Sequence, residues 1–231
     1  MIPCHVCVFL RPVVPGEVKT RLSASLGSQV GASLYAAFAR DCIRCAVASG
    51  YPGSLWIAGQ VDHPSIAVLQ QGTGAEAWPR LSQPRGDLGF RQRAALSWAL
   101  EQASTALAIG TDAPTLSPVL LTQAHRELGR SELVLGPAAD GGYYLIGLRA
   151  PLADGFLRGV RWSSRHTLAD TLASAGQVGY RTRLLPPFYD VDRPRDLALL
   201  RMHVALDPAV APDSARALAA MGAPTYRNTS R

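Results

Sequence analysis

Two apolar runs, ELVLG (132–136) and GYYLIGL (142–148), stand so close that the stretch 137–141 between them cannot hold a crossover helix. Parallel neighbours in a sheet need a connection of roughly a dozen residues or more. These two runs are therefore not adjacent parallel strands, and one strand of the sheet must be reversed. The other apolar runs, CHVCVFL (4–10), SLWIAG (54–59), TALAIG (105–110) and YRTRLL (180–185), are set far apart. Between them lie helical patterns: about Ser28 to Ala48, about Leu88 to Gln102 with Leu88, Ala95 and Trp98 turned inward, and a Ser117-capped helix to Leu128. Two more run from Ser163 or Ser164 to Ala173 and from Pro194 to about Val204, while Gln70 to Gly86 reads mostly as loop. Strands alternating with helices predict an α/β fold with a predominantly parallel sheet and one reversed strand. One domain is expected over 1–206, with a short helix and a frayed tail over 207–231.

An apolar content of 48% is enough for a full core, and 17% charged residues is ordinary for a soluble globular chain. The net charge of +6 rests on scattered arginines, with no run of five basic residues, so a nucleic-acid partner is not expected. A polyanionic small molecule accounts for the charge equally well. MIPCHVCVFL has no basic n-region and is too short for a membrane span, which predicts a cytoplasmic protein. Nothing in the sequence reads on oligomeric state.

Cys4/Cys7 and Cys42/Cys45 form two C-x-x-C pairs, a spacing familiar from zinc sites. Positions three apart on a strand point to opposite faces, so Cys4 and Cys7 cannot share a metal. Cys42 and Cys45 continue a helical stripe begun by Leu34 and Phe38, which makes them core positions.

Ligands of parallel sheets bind at the carboxyl ends of the strands, and four polar motifs fall there. RPVVPGEVKTRL (11–22) contains Lys19, the chain's only lysine, with Arg21 close by. Its Pro15–Gly16 pair shapes a loop suited to phosphates, although a solvated basic loop is an equal alternative. GTDAP (110–114) offers Asp112 to a divalent cation or to a local turn. GPAADGGYY (136–144) brings Asp140, Gly141, Gly142 and Tyr143, either as a ligand contact or as a plain turn. YDVDRPRDL (189–197) sets Asp190 and Asp192 on one side of extended chain, for metal binding or, at Asp192, helix capping; Asp196 suits the dipole of the following helix.

Together PGEVKTRL, GDLG (86–89), GTDAP, GPAADGGYYLIGL, VRWSS (160–164) and YDVDRPRDL resemble the bacterial rSAM/selenodomain-associated transferase family. More distantly they are similar to the GT-A nucleotide-diphospho-sugar transferases, including molybdenum-cofactor nucleotidyltransferases. The resemblance runs to about Leu200. It implies a Rossmann-like three-layer sandwich in which Arg11, Pro15, Gly16, Lys19 and Arg21 hold nucleotide phosphates. Asp112 and Asp192, with Asp190 in reserve, would hold Mg²⁺ or Mn²⁺. Asp87, Asp140, Gly141, Gly142, Tyr143, Trp162 and Ser163 would face the base or the acceptor, with Lys19, Arg21 and Asp112 catalytic. Arg11 stands where the family usually has lysine, and Phe90 where an acidic residue usually follows GDLG. The expected activity is nucleotidyl transfer from a nucleoside triphosphate to a phosphorylated small molecule. Glycosyl transfer from a nucleotide sugar and non-catalytic nucleotide binding are the alternatives.

Overall fold

The computed structural model describes residues 3–149 and 152–222. In chain order these form β1 (His5–Leu10), α1 (Thr20–Leu26), α2 (Ser28–Ala48), β2 (Gly53–Ile57), α3 (Pro64–Gln70), β3 (Arg80–Ser82), α4 (Leu88–Leu100) and β4 (Ala106–Ile109). There follow α5 (Pro118–Leu128), β5 (Leu133–Pro137), β6 (Tyr143–Leu148), α6 (Thr167–Gln177), β7 (Thr182–Leu184), α7 (Asp196–Leu206), a 3₁₀ turn (Pro208–Val210) and α8 (Pro212–Ala220).

The seven strands make one sheet in the order β3-β2-β1-β4-β6-β5-β7. β6 is the reversed strand, antiparallel to both β4 and β5, while the remaining pairings are parallel. The short 137–141 connection thus forces the reversal its length implied. Strands on either side of β1 leave in opposite directions through the order β2-β1-β4, so the chain parts at the carboxyl ends of β1 and β4. That parting is the topological switch point, where an open α/β sheet has a crevice.

Both sheet faces are covered. Cys4, Val6 and Val8 pack on one side with Ile43, Ile66 and Leu121, from α2, α3 and α5. Cys7, Ala106 and Ala108 pack on the other with Leu96, Phe156 and Ala175. The α/β three-layer expectation is met, and Cys4 and Cys7 do lie on opposite faces because strand side chains alternate. All four cysteines are buried free thiols. A third cluster joins Leu34 and Phe38 to Leu200 of α7 and Leu218 of α8, so the C-terminal helix docks on the body of the fold. The frayed tail expected beyond it lies outside the described residues.

Several boundaries differ from the sequence reading. β3 sits within the segment read as loop; it is a three-residue edge strand whose side chains are mostly exposed, so it carries no apolar alternation. Leu88 is 38% exposed and faces the crevice, not the core, from the first residue of α4. The helix expected from Ser163 or Ser164 begins at Thr167, since Ser164 spends its hydroxyl on the His166 amide in the preceding turn.

Candidate active site

The PG pair of the first loop has a local purpose. The Glu17 amide donates to the Val14 carbonyl at 3.0 Å, with Gly16 at φ +87°, and this is the Pro-Gly arrangement of a tight turn. After the turn the chain enters α1 through Lys19, whose own backbone is left-handed at φ 45° and ψ 46°. A non-glycine residue there is uncommon and costs free energy. Here it turns the side chain inward, leaving only 3% of it exposed.

The Lys19 ammonium donates to Asp112 Oδ1 at 2.5 Å, to the Val191 carbonyl at 2.7 Å and to Asp192 Oδ1 at 2.8 Å. An ammonium has three N–H groups, and all three are used. Its nitrogen also lies 5.6 Å from the centre of the Phe38 ring. Burial pulls the lysine pKa down, but the charges of Asp112 and Asp192 and their hydrogen bonds outweigh it and hold the pKa above the ordinary value. The residue expected to meet phosphates therefore faces two carboxylates, and in this arrangement it has no N–H left to donate.

The two acidic loops are also joined through backbone, the Val191 amide donating to the Asp112 carbonyl at 2.8 Å. Asp192 does not cap α7. α7 starts without a side-chain cap, and Asp196 in its first turn instead ties down the preceding loop, its Oδ2 accepting from the amides of Asp192 at 3.0 Å and Arg193 at 2.8 Å. Asp190 stands beside them with its carboxyl raised to about 7, by burial first and then by the charges of Asp112, Asp140 and Asp192. Asp140 accepts from the Gly142 amide at 2.8 Å and so closes the turn between β5 and β6.

These groups border a cavity of about 600 Å³ at the switch point. Of the expected residues, Arg11, Lys19, Arg21, Asp112, Asp140, Gly142, Tyr143, Ser163, Asp190 and Asp192 line it. Pro15, Gly16, Asp87, Gly141 and Trp162 do not, and each has a structural task. Pro15 and Gly16 make the turn described above, and the space a Gly16 side chain would occupy is open. Asp87 caps α4, accepting from the Phe90 amide at 2.8 Å. Gly141 lies against the backbone of Arg165, and the Trp162 ring packs so closely on Gly89 that a Cβ there would fall 2.6 Å from it. Tyr143 is anchored rather than free to stack, since its hydroxyl donates to Gln92 at 2.7 Å.

The cavity also takes in residues that the sequence did not single out: Tyr35, Gln83, Arg91 and Gln92. Tyr35 is the hinge of the first loop, its hydroxyl accepting from the Arg11 amide at 2.6 Å and donating to the Arg11 carbonyl at 3.2 Å. Arg91, one turn into α4, was the discoverable one, because GDLGFR places it on the same helical side as Leu88.

Residues 38–164 match DUF2064, a family described as an uncharacterized protein conserved in bacteria. The chain belongs to DUF2064. No curated protein matches the sequence. Among solved structures, a candidate nucleotide-diphospho-sugar transferase from Desulfovibrio desulfuricans G20 is similar to this DUF2064 chain at a TM-score of 0.85 and 26% identity, covering 95% of each chain. A 4-diphosphocytidyl-2C-methyl-D-erythritol synthase from Anaerococcus prevotii DSM 20548 shares the fold at a TM-score of 0.58 and 8% identity, over 88% of this chain and 99% of its own. An inositol-1-phosphate CTP transferase from T. maritima shares it at 0.53 and 13%, over 85% and 92%. The DUF2064 chain therefore has the nucleotide-diphospho-sugar transferase fold that its motifs implied. Among the described residues no helix is long and apolar enough to cross a membrane.

Proposed function

We propose that the protein is a divalent-metal-dependent nucleotidyltransferase that moves a nucleoside monophosphate from a triphosphate to a phosphorylated small molecule. The observation that carries the reading is the convergence of Asp112 and Asp192 on one positive charge at the switch point. A cavity holding Arg11, Arg21 and Arg91 opens beside them. Three guanidinium groups suit the charge of a triphosphate better than that of a nucleotide sugar.

The donor set fits a magnesium or manganese ion. Lys19 engages one oxygen of each carboxylate, Asp112 Oδ1 and Asp192 Oδ1, which leaves the other oxygens of the pair for an ion, and Asp112 is half exposed, leaving room for further ligands. Among the described residues no three His, Cys, Asp or Glu side chains group to hold a metal alone, so substrate phosphate oxygens would complete the shell, as Mg²⁺ commonly requires. When bound, such an ion would neutralise charge on the reacting phosphates.

In the reaction an oxygen of the acceptor phosphate attacks the α-phosphorus, the bond to the bridging β-oxygen breaks, and pyrophosphate departs with that electron pair. Arg11, Arg21 and Arg91 offset the charge that grows on pyrophosphate; such stabilisers are typically worth ~3 to 4 kcal/mol each. Lys19 acts through the aspartates. It holds both carboxylates aligned, tying the loop after β4 to the loop after β7.

Incubation with each of the four common nucleoside triphosphates, Mg²⁺ and a panel of phosphorylated metabolites should release pyrophosphate. A second reading, glycosyl transfer, is favoured by the likeness to the D. desulfuricans protein. Turnover of a UDP- or GDP-sugar with no pyrophosphate from any triphosphate would establish it and sink the first.

A further inference from the structure

A second hollow of about 350 Å³ opens against the first and shares with it a wall that includes Asp140, Ser163, Asp190 and Asp192. The two chambers differ in chemistry. The larger includes Phe9, Tyr35, Leu88 and Leu116 in its lining, a mixture that can take a nucleoside. In the smaller only Ala139 carries an apolar side chain, and four arginines, Arg21, Arg165, Arg193 and Arg195, stand in the lining.

Three of the four aspartates of this chamber, all but Asp190, already have partners within the protein. Asp192 holds Lys19, Asp196 accepts two backbone amides, and Asp140 accepts the Gly142 amide. The arginines are held less closely. Arg21 is 3.7 Å from Asp192 and Arg195 is 3.6 Å from Asp196, with side chains 59% and 79% exposed. Arg165 makes a 3.4 Å contact with the neighbouring His166 ring. Its backbone is wedged against Gly141, which fixes the Arg165 loop to the turn that carries Asp140. The chamber's own carboxylates answer Arg21 and Arg195, whereas Arg165 and Arg193 form no ion pair with them, and planar guanidinium forks of this kind match phosphate oxygens in pairs.

We propose that this smaller chamber is the acceptor subsite, and that it takes the phosphate of a phosphomonoester through Arg165 and Arg193. The inference rests on the transferase reading above and assigns its second substrate a place. A phosphate held there lies along the acidic wall common to both chambers, so acceptor oxygen and donor phosphates meet at Asp190 and Asp192. Nucleoside binding is left to the larger chamber, which alone of the two has aromatic lining.

The test compares wild type with the exposed-site double variant Arg165→Ala/Arg193→Ala by titration calorimetry. The probes are inorganic phosphate, glucose 1-phosphate, glucose as the uncharged control, and the four common triphosphates with Mg²⁺. Both phosphate probes should bind wild type, glucose should not, and the double variant should bind phosphate about tenfold or more weakly. Whichever triphosphate binds should keep its affinity within about twofold. Equal phosphate affinity in the two proteins, or none in wild type, overturns the proposal. So does a parallel loss of triphosphate affinity, which would place the donor's own phosphates in the smaller chamber. Failure of every triphosphate to bind would count against the transferase reading, while the phosphate comparison would still decide the subsite.

Discussion

The Lys19 ammonium and the Asp192 carboxylate, 173 positions apart in the chain, meet at 2.8 Å. The same nitrogen reaches Asp112, so one lysine bridges the loops that follow β1, β4 and β7. Lys19→Ala should then do more than slow the reaction. The rate should fall by roughly two to three orders of magnitude. The ligand-free protein should also lose about 1 to 2 kcal/mol in urea denaturation, because two facing carboxylates are left without their cation. That figure lies below the usual cost of breaking a buried pair, since Asp112 and Asp192 are partly exposed and can hydrate. A purely phosphate-binding lysine would leave ligand-free stability unchanged, and that result would refute the bridging role.

Chelation separates the metal from the fold. EDTA should abolish turnover and leave the thermal midpoint of the ligand-free protein where it was, because Lys19 already bridges the acidic pair. Asp112→Asn should behave similarly, losing about a hundredfold or more in rate. It should also lose the extra thermal stabilisation that Mg²⁺ adds in the presence of triphosphate. A drop in the midpoint on chelation alone would mean that the ion holds the structure.

What could be read from the sequence was whatever depends on period and spacing. The gap between ELVLG and GYYLIGL foretold the reversed β6, and strand alternation foretold Cys4 and Cys7 on opposite faces. β3 was missed because an exposed edge strand of three residues has no buried face to pattern. The crevice residues were largely legible from strand ends and from the family resemblance. Their partners were not. That Lys19 turns onto aspartates depends on a left-handed backbone at a non-glycine position, which no composition rule predicts. The resemblance implied a ligand contact for Asp87, and only the fold shows the 2.8 Å bond from the Phe90 amide that makes it the cap of α4. Arg165 and Arg193 lie on different loops, and only the fold brings them to one hollow.

Gly141 couples the reversed strand to both chambers. Its φ is +91°, and a Cβ added there would sit 2.4 Å from the Arg165 carbonyl oxygen. Backbone cannot yield as a flexible side chain does. Gly141→Ala should cost about 2 to 4 kcal/mol by chemical denaturation, combining the strained φ with the clash. Gly16→Ala is the control, because its φ of +87° is similar but the space around it is open. It should cost about 1 to 2 kcal/mol, the backbone term alone. Equal losses in the two variants would show that contact with Arg165 does not matter.

The C-terminal helix brings a pH dependence of its own. Asp41 of α2 is buried, and its carboxyl accepts from the Asp213 amide at 3.0 Å and from the Ser214 amide and hydroxyl at 2.7 and 2.6 Å, at the start of α8. Burial raises its pKa to about 6, from 3.8, with those hydrogen bonds only partly opposing the rise. A carboxyl raised in the folded state favours folding most when protonated. Its contribution is therefore complete below about pH 3.8 and is lost as pH rises through about 6. A shift of this size corresponds to about 3 kcal/mol. Asp41→Asn does not titrate, so subtracting its stability from that of wild type isolates the effect from other groups. The difference should favour wild type most near pH 4 and shrink by about 2 to 3 kcal/mol by pH 7. Denaturation curves at intervals of half a pH unit would show it. A difference that stays flat, or grows in favour of wild type with rising pH, would mean that the helix start holds Asp41 as an anion throughout.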